Sequence, residues 1–169
     1  MLAETQILYK MKEPISTYTN LAYIVAGVAM WNPVLTTAHI ILGITSGGYH
    51  WTKNRLWQKL DVRAMFLVFG AHMWNFIGSW EAALMIGLAV ILTWVRESDF
   101  STEVTIPYMF LITAALALSS GVSWFFLIVF IIALVCNIPF LYLNLNKGVT
   151  DVLHGLWHIL TAYGFYLLM

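Results

Sequence analysis

Residues 150–169 read TDVLHGLWHILTAYGFYLLM, and the reading of this stretch decides the fold. It is nearly all apolar, yet it holds Asp151, His154 and His158. Residues four apart share one helix face, so the two imidazoles point the same way about one turn apart. The rest of the chain is equally greasy. Of 169 residues, 61% are hydrophobic and 9% charged, against roughly 25% charged in an ordinary soluble domain. The expected solvent is therefore a bilayer. Eight basic and eight acidic residues cancel, which argues against nucleic acid as a partner. The single cysteine, Cys136, forms no internal disulfide and no cysteine metal cluster. MLAETQILYKMKE lacks the apolar core of a cleavable signal, so the first helix is expected to direct insertion and stay.

Working outward from 150–169, the apolar stretches predict an all-α, polytopic membrane protein, a bundle of seven transmembrane helices. Spans are expected at 17–31, 34–51, 61–80, 82–96, 106–119, 123–143 and 150–169. They make one domain over 1–169, with 1–16 a short cytoplasmic segment. Several fall short of the roughly 20 residues of a full span. Asn32-Pro33, Ser119-Ser120-Gly121 and residues 144–148 supply turn chemistry. The third-to-fourth boundary is drawn around Ser79-Trp80-Glu81. Seven spans put all eight basic residues, from Lys10 to Lys147, on one face, and only Glu81 on the other. The positive-inside rule then makes the amino terminus cytoplasmic and the carboxyl terminus external. Trp51, Trp57, Trp80, Trp94 and Trp124 fall near helix ends, as interfacial aromatics do. Gly43, Ser46, Gly47 and Gly48 give the second helix a small-residue packing face.

Ionisable groups within such helices are costly and therefore informative. The second helix ends in GITSGGYHW, with Ser46 and His50 spaced i, i+4. The third opens with Asp61 in its first turn, and the seventh carries His154 and His158. The topology puts all of these in one layer near the basic face. Three histidines with an open fourth position suit catalytic zinc, with neutral imidazoles as ligands. Asp61 and Ser46 are then candidates to orient or deprotonate a water and to support a carbonyl oxygen gaining negative charge. Each has a blander reading. The histidine pair could make interhelical hydrogen bonds, Asp61 could be a helix cap, and Ser46 could be packing. Asp151, after Thr150, reads as a cap. His39 and His72 lie away from the layer and read as structural. Cys136 and the eight methionines are given no role.

SxxxH at the end of the second helix, an aspartate opening the third and HxxxH in the seventh resemble the alkaline ceramidase family. That family is part of a seven-helix hydrolase superfamily that includes adiponectin-receptor and hemolysin III-like proteins. EPISTYTNLAYIVAG, from Glu13, and HGLWHILTAYGFYLL, from His154, are similar to the family's first and last helices. The middle three helices match only in hydrophobicity. The resemblance implies that His50, His154 and His158 bind zinc. It implies that Asp61 and Ser46 assist water in cleaving the amide of ceramide or a related N-acyl lipid. Eukaryotic members carry an acidic calcium site to which Glu13 corresponds. The rest of that signature is missing from MLAETQILYKMKE, so calcium does not carry over.

Alternatives stay open. A receptor or pore-like member of the superfamily would use zinc to hold helices together. Haem would need facing histidines, with His39 or His72 recruited. Retinal finds no lysine in 150–169 for a Schiff base. A Ser46–His50 nucleophile leaves the other two histidines unexplained. Oligomeric state is not legible.

Overall fold

A computed structural model describes residues 12–77, 124–142 and 145–169, with positions 118 and 121. The expected span at 82–96 and all but position 118 of that at 106–119 lie outside the described residues. So do Lys10, Arg96, Trp94, the boundary around Glu81, and the turn at 119–121 except Gly121. The described chain is helical: α1 Pro14–Thr19, α2 Leu21–Ala29, α3 Pro33–Thr52, α4 Arg55–Ile77, α5 Phe125–Tyr142 and α6 Lys147–Tyr166.

Among the described residues no helix is long and apolar enough to cross a membrane. This overturns the seven-span transmembrane bundle and the multi-pass membrane location. With them go the cytoplasmic amino terminus, the external carboxyl terminus and the interfacial role of the tryptophans. The reason lies in how polarity is distributed helix by helix. α4 carries Arg55, Lys59, Asp61 and Arg63, and α6 carries Lys147 and Asp151. α3 is interrupted by Thr36, Thr37, His39, Thr45, Ser46 and His50. α5 is the most apolar, but its 18 residues reach about 27 Å at 1.5 Å per residue, short of a ~20-residue span.

Asparagines set the helix starts. The side-chain oxygens of Asn32, Asn54 and Asn146 accept from the N–H groups of Val34 (3.0 Å), Leu56 (2.7 Å) and Gly148 (2.9 Å). Each satisfies a donor that the first turn leaves orphaned. Asn54 therefore begins α4 six residues before the expected start at 61, so Asp61 sits in the second turn rather than the first. Asn146 likewise begins α6 three residues before 150. The expected helix at 17–31 starts earlier, at Pro14, and is split at Asn20. The Asn20 amide donates to the Ser16 carbonyl at 2.7 Å, competing for an acceptor that the continuing helix would use.

α3 packs against α4, and α5 against α6, while α1 and α2 bridge α3 and α6. The small-residue face of α3 serves that bridging. A Cβ at Gly43 would lie 2.7 Å from Ile24 of α2, and one at Gly48 would lie 2.6 Å from the Trp57 ring of α4. At Gly164 of α6 a Cβ would overlap the Phe130 ring of α5. Phe165 is the hub of the aromatic core, with ring contacts to Phe69, Phe130, His39 and His72 at 4.8–5.4 Å. α6 thus has two halves. The first turns face polar partners, and the last turns fill the core.

Candidate metal centre

Asp151 fixes the approach to the site, and not as a cap on its own helix. Its Oδ1 accepts from the Ser16 N–H (2.9 Å) and the Ser16 hydroxyl (2.6 Å), and its Oδ2 from the Ile15 N–H (3.1 Å). It therefore caps α1 from a different helix, tying residues 15–16 to α6. The segment entering α1 also lies along the end of α3, where Glu13 N–H donates to the His50 carbonyl at 3.3 Å.

Three buried histidines meet in the space this creates. His50, His154 and His158 each offer one ligand nitrogen, and all three nitrogens lie within 4.8 Å of one another. Their ring centroids are 4.6–4.9 Å apart. The outer nitrogens explain the arrangement. His50 Nδ1 lies 2.6 Å from a Glu13 carboxylate oxygen, and His154 Nδ1 lies 2.9 Å from the Asn137 amide oxygen. His158 Nδ1 lies 3.2 Å from both the Ser16 carbonyl and the Thr19 hydroxyl oxygen. The Thr19 hydroxyl spends its own proton on the Ile15 or Ser16 carbonyl, so towards His158 it accepts. Every Nδ1 therefore carries a proton to donate, which assigns Nε2 to the cluster.

Burial makes these rings neutral. It holds His154 and His158 well below the ordinary imidazole range, and each ring's neighbouring imidazoles push the same way. His50 is lowered too, by burial first and against the pull of Glu13. The His50–Glu13 contact is thus a hydrogen bond from a neutral ring rather than an ion pair. Glu13 itself would be raised by burial. Hydrogen bonds from His50 and Lys53 and the Lys53 charge outweigh that and hold it ionised. Lys53 Nζ lies 2.5 Å from the same carboxylate oxygen.

His50 Nε2 and His154 Nε2 are 3.2 Å apart. Two lone pairs facing each other at that distance repel unless a proton or cation lies between them. Tetrahedral ligation at 2.0–2.1 Å sets nitrogens about 3.3 Å apart, so this spacing already suits a metal ion. These three residues could therefore bind one.

Asp61 and Ser46 line the same cavity as the three histidines, and they are hydrogen-bonded to each other. Burial raises the Asp61 carboxyl to about 7, against the Ser46 hydrogen bond and the Lys53 charge. Its Oδ1 is buried with no hydrogen-bond partner among the described residues.

The five expected site residues are thus brought together. Three supporting groups were not assigned from sequence. Asn137 had a signal, as a lone amide in the apolar run FFLIVFIIALVCNIPFLY. Glu13 was tied only to calcium, whereas its carboxylate joins His50 to Lys53. The Ser16 carbonyl is backbone and leaves no trace in residue type. His39 and His72 lie outside the cluster, in the core, as expected. The chain matches no protein-family model, no curated protein and no solved structure.

Proposed function

We propose that the chain is a zinc-dependent hydrolase that cleaves the amide of an N-acyl lipid such as ceramide, in the manner its resemblance to alkaline ceramidases implies. One observation carries the reading. Three neutral, buried imidazoles with fixed tautomers converge beside an aspartate whose buried Oδ1 has no partner among the described residues. Zinc is favoured because an all-imidazole set with an open position is its common catalytic arrangement. When bound, it supplies Lewis acidity that lets water react near neutral pH.

The chain's own residues do the rest. Asp61, with a carboxyl near 7, takes the proton from the attacking water and returns it to the departing nitrogen, suiting general acid–base work at neutral pH. Water adds its oxygen to the acyl carbon, the C–N bond breaks, and a fatty acid and an amine leave. Ser46 orients Asp61 through their hydrogen bond. Leu42, Val62, Met65 and Trp157 give the cavity an apolar lining that suits a lipid.

Purified chain loaded with zinc tests this directly. The expected result is about one zinc per chain and fatty-acid release from an N-acyl lipid, abolished in Asp61→Asn and in His158→Ala. Full zinc occupancy without turnover of any lipid amide would leave the metal as a tie between α3 and α6. Absence of stoichiometric zinc would end the reading.

A further inference from the structure

Amide hydrolysis puts negative charge on the acyl oxygen as water adds, and sites that speed such reactions aim hydrogen-bond donors at that oxygen. Ser46 already hydrogen-bonds Asp61. The histidine protons point outward, to Glu13, Asn137 and the Ser16 carbonyl. Tyr23 also lines the cavity, and neither arrangement uses it.

The pattern of α2 puts Tyr23 there. Tyr23, Ala26 and Gly27 are buried at i, i+3 and i+4, whereas Leu21, Val25 and Val28 of the same helix are exposed. α2 packs against α3 and α6, so its buried face meets both. The Tyr23 ring, 4% exposed, lies 5.9 Å from the His158 ring between centroids. It shares the cavity, about 90 Å³ in volume, with His158, Ser46 and Asp61. Its hydroxyl is hydrogen-bonded to Thr161, a buried residue that among the described residues does not line the cavity.

The direction of that bond follows from the proton count. The Thr161 hydroxyl gives its one proton to the Trp157 carbonyl at 2.6 Å, so towards Tyr23 it accepts and the phenol donates. A phenol O–H rotates to suit its acceptor, so the proton can turn from Thr161 to an oxygen in the cavity. Hydrogen bonds to a charged acceptor are roughly twice as strong as those to a neutral one. Exchanging Thr161 for a neutral amide oxygen therefore gains little, and exchanging it for an oxygen bearing negative charge gains much. An interaction that strengthens only as charge develops lowers the barrier without tightening the ground state.

We propose that Tyr23 is a catalytic residue of this site, its hydroxyl resting on Thr161 and turning into the cavity to donate to the acyl oxygen as that oxygen gains charge. This rests on the hydrolase reading above. The proton stays on Tyr23 throughout and returns to Thr161 once the C–N bond breaks and the carbonyl re-forms. The competing role is a strut, in which the Tyr23–Thr161 bond only ties α2 to α6.

Two probes separate these roles on the zinc-loaded full chain. N-ethyl undecylphosphonamidate is a tetrahedral anion, and N-ethyldodecanamide is the planar, neutral amide of the same length. By calorimetry, Tyr23→Phe should weaken the phosphonamidate on the order of 10- to 100-fold in Kd and leave the amide within about 2-fold. Thr161→Val removes the resting partner and should weaken neither. In turnover of ceramide, Tyr23→Phe should lower kcat by roughly 100-fold with KM little changed. Tyr23→Phe removes a single oxygen, and zinc content checks that both variants keep the site. Equal losses for the two probes, no loss for either, or a Thr161→Val loss matching that of Tyr23→Phe would overturn the proposal in favour of the strut. A loss confined to the phosphonamidate, with no turnover of any lipid amide, leaves Tyr23 as a donor to a tetrahedral anion and removes the hydrolase reading alone.

Discussion

The molecule contains two buried histidine groups that look alike by distance and differ in chemistry. His50 and His154 face each other at 3.2 Å between Nε2 atoms, and His39 and His72 at 3.1 Å. In the first group every outer nitrogen is held by an acceptor from another helix or from the segment entering α1. The second lies in the aromatic core, where Phe165 stacks on His72 and packs edge-on against His39. The His39 Nδ1 is buried without a hydrogen-bond partner among the described residues. With no acceptor holding its Nδ1, His39 can carry its proton on Nε2 and donate it to His72 Nε2, and the contact is complete. Proximity of imidazoles therefore does not make a metal site. Acceptors behind the rings make one possible, because they turn the lone pairs inward.

That difference can be broken at three points. The largest effect should come from the ligands. His154→Ala should lower zinc from about one per chain to none by mass spectrometry, whereas His39→Phe should leave it unchanged; loss of zinc in both would erase the distinction. A smaller effect should follow from the acceptors. Glu13→Gln and Asn137→Leu leave all three ligands in place, and each should weaken zinc binding by roughly 10- to 100-fold in competition with a chelator. Affinities equal to the native chain's would mean that the outer bonds do not set the site.

The smallest effect concerns protons. Burial lowers the His39 imidazole to about 4, while an unfolded chain titrates near 6.5. Between those values the unfolded state binds more protons, so stability falls as pH drops through the window. It is fully retained above about 6.5. A span of 2.5 pH units is worth on the order of 3 kcal/mol. Urea unfolding of metal-free protein at pH 7 and pH 4.5 should therefore show a smaller acid loss in His39→Phe than in the native chain. An identical loss in both would mean that His39 is not held neutral.

Much of this was legible in the sequence, and the failures have physical causes. Asn32-Pro33 marked the start of α3 within a residue, because a capping side chain and a fixed proline φ act locally. The i, i+4 spacing of His154 and His158 gave a shared face for the same reason. The start of α4 was missed because Arg55 and Lys59 read as a loop, whereas Asn54 caps a helix that carries them. Overall hydropathy misled most. It averages over a chain whose described helices each carry polar residues or run short, and that average predicted spans that no described helix can make. The supporting shell was the least legible part. A backbone carbonyl from Ser16 and a carboxylate from Glu13 reach the histidines only through packing between distant segments.

The bond from Asp151 to α1 has a consequence for timing. It joins positions 135 residues apart, and the Ser16–His158 contact joins positions 142 apart. On a growing chain, Glu13, Ser16 and Thr19 emerge long before the helix they serve. His50 waits with them for His154 and His158. A metal ion held by all three histidines could therefore be captured only at the last stage of folding, after α6 has been made and docked, and a ribosome-bound chain stopped before residue 150 should hold none at this site.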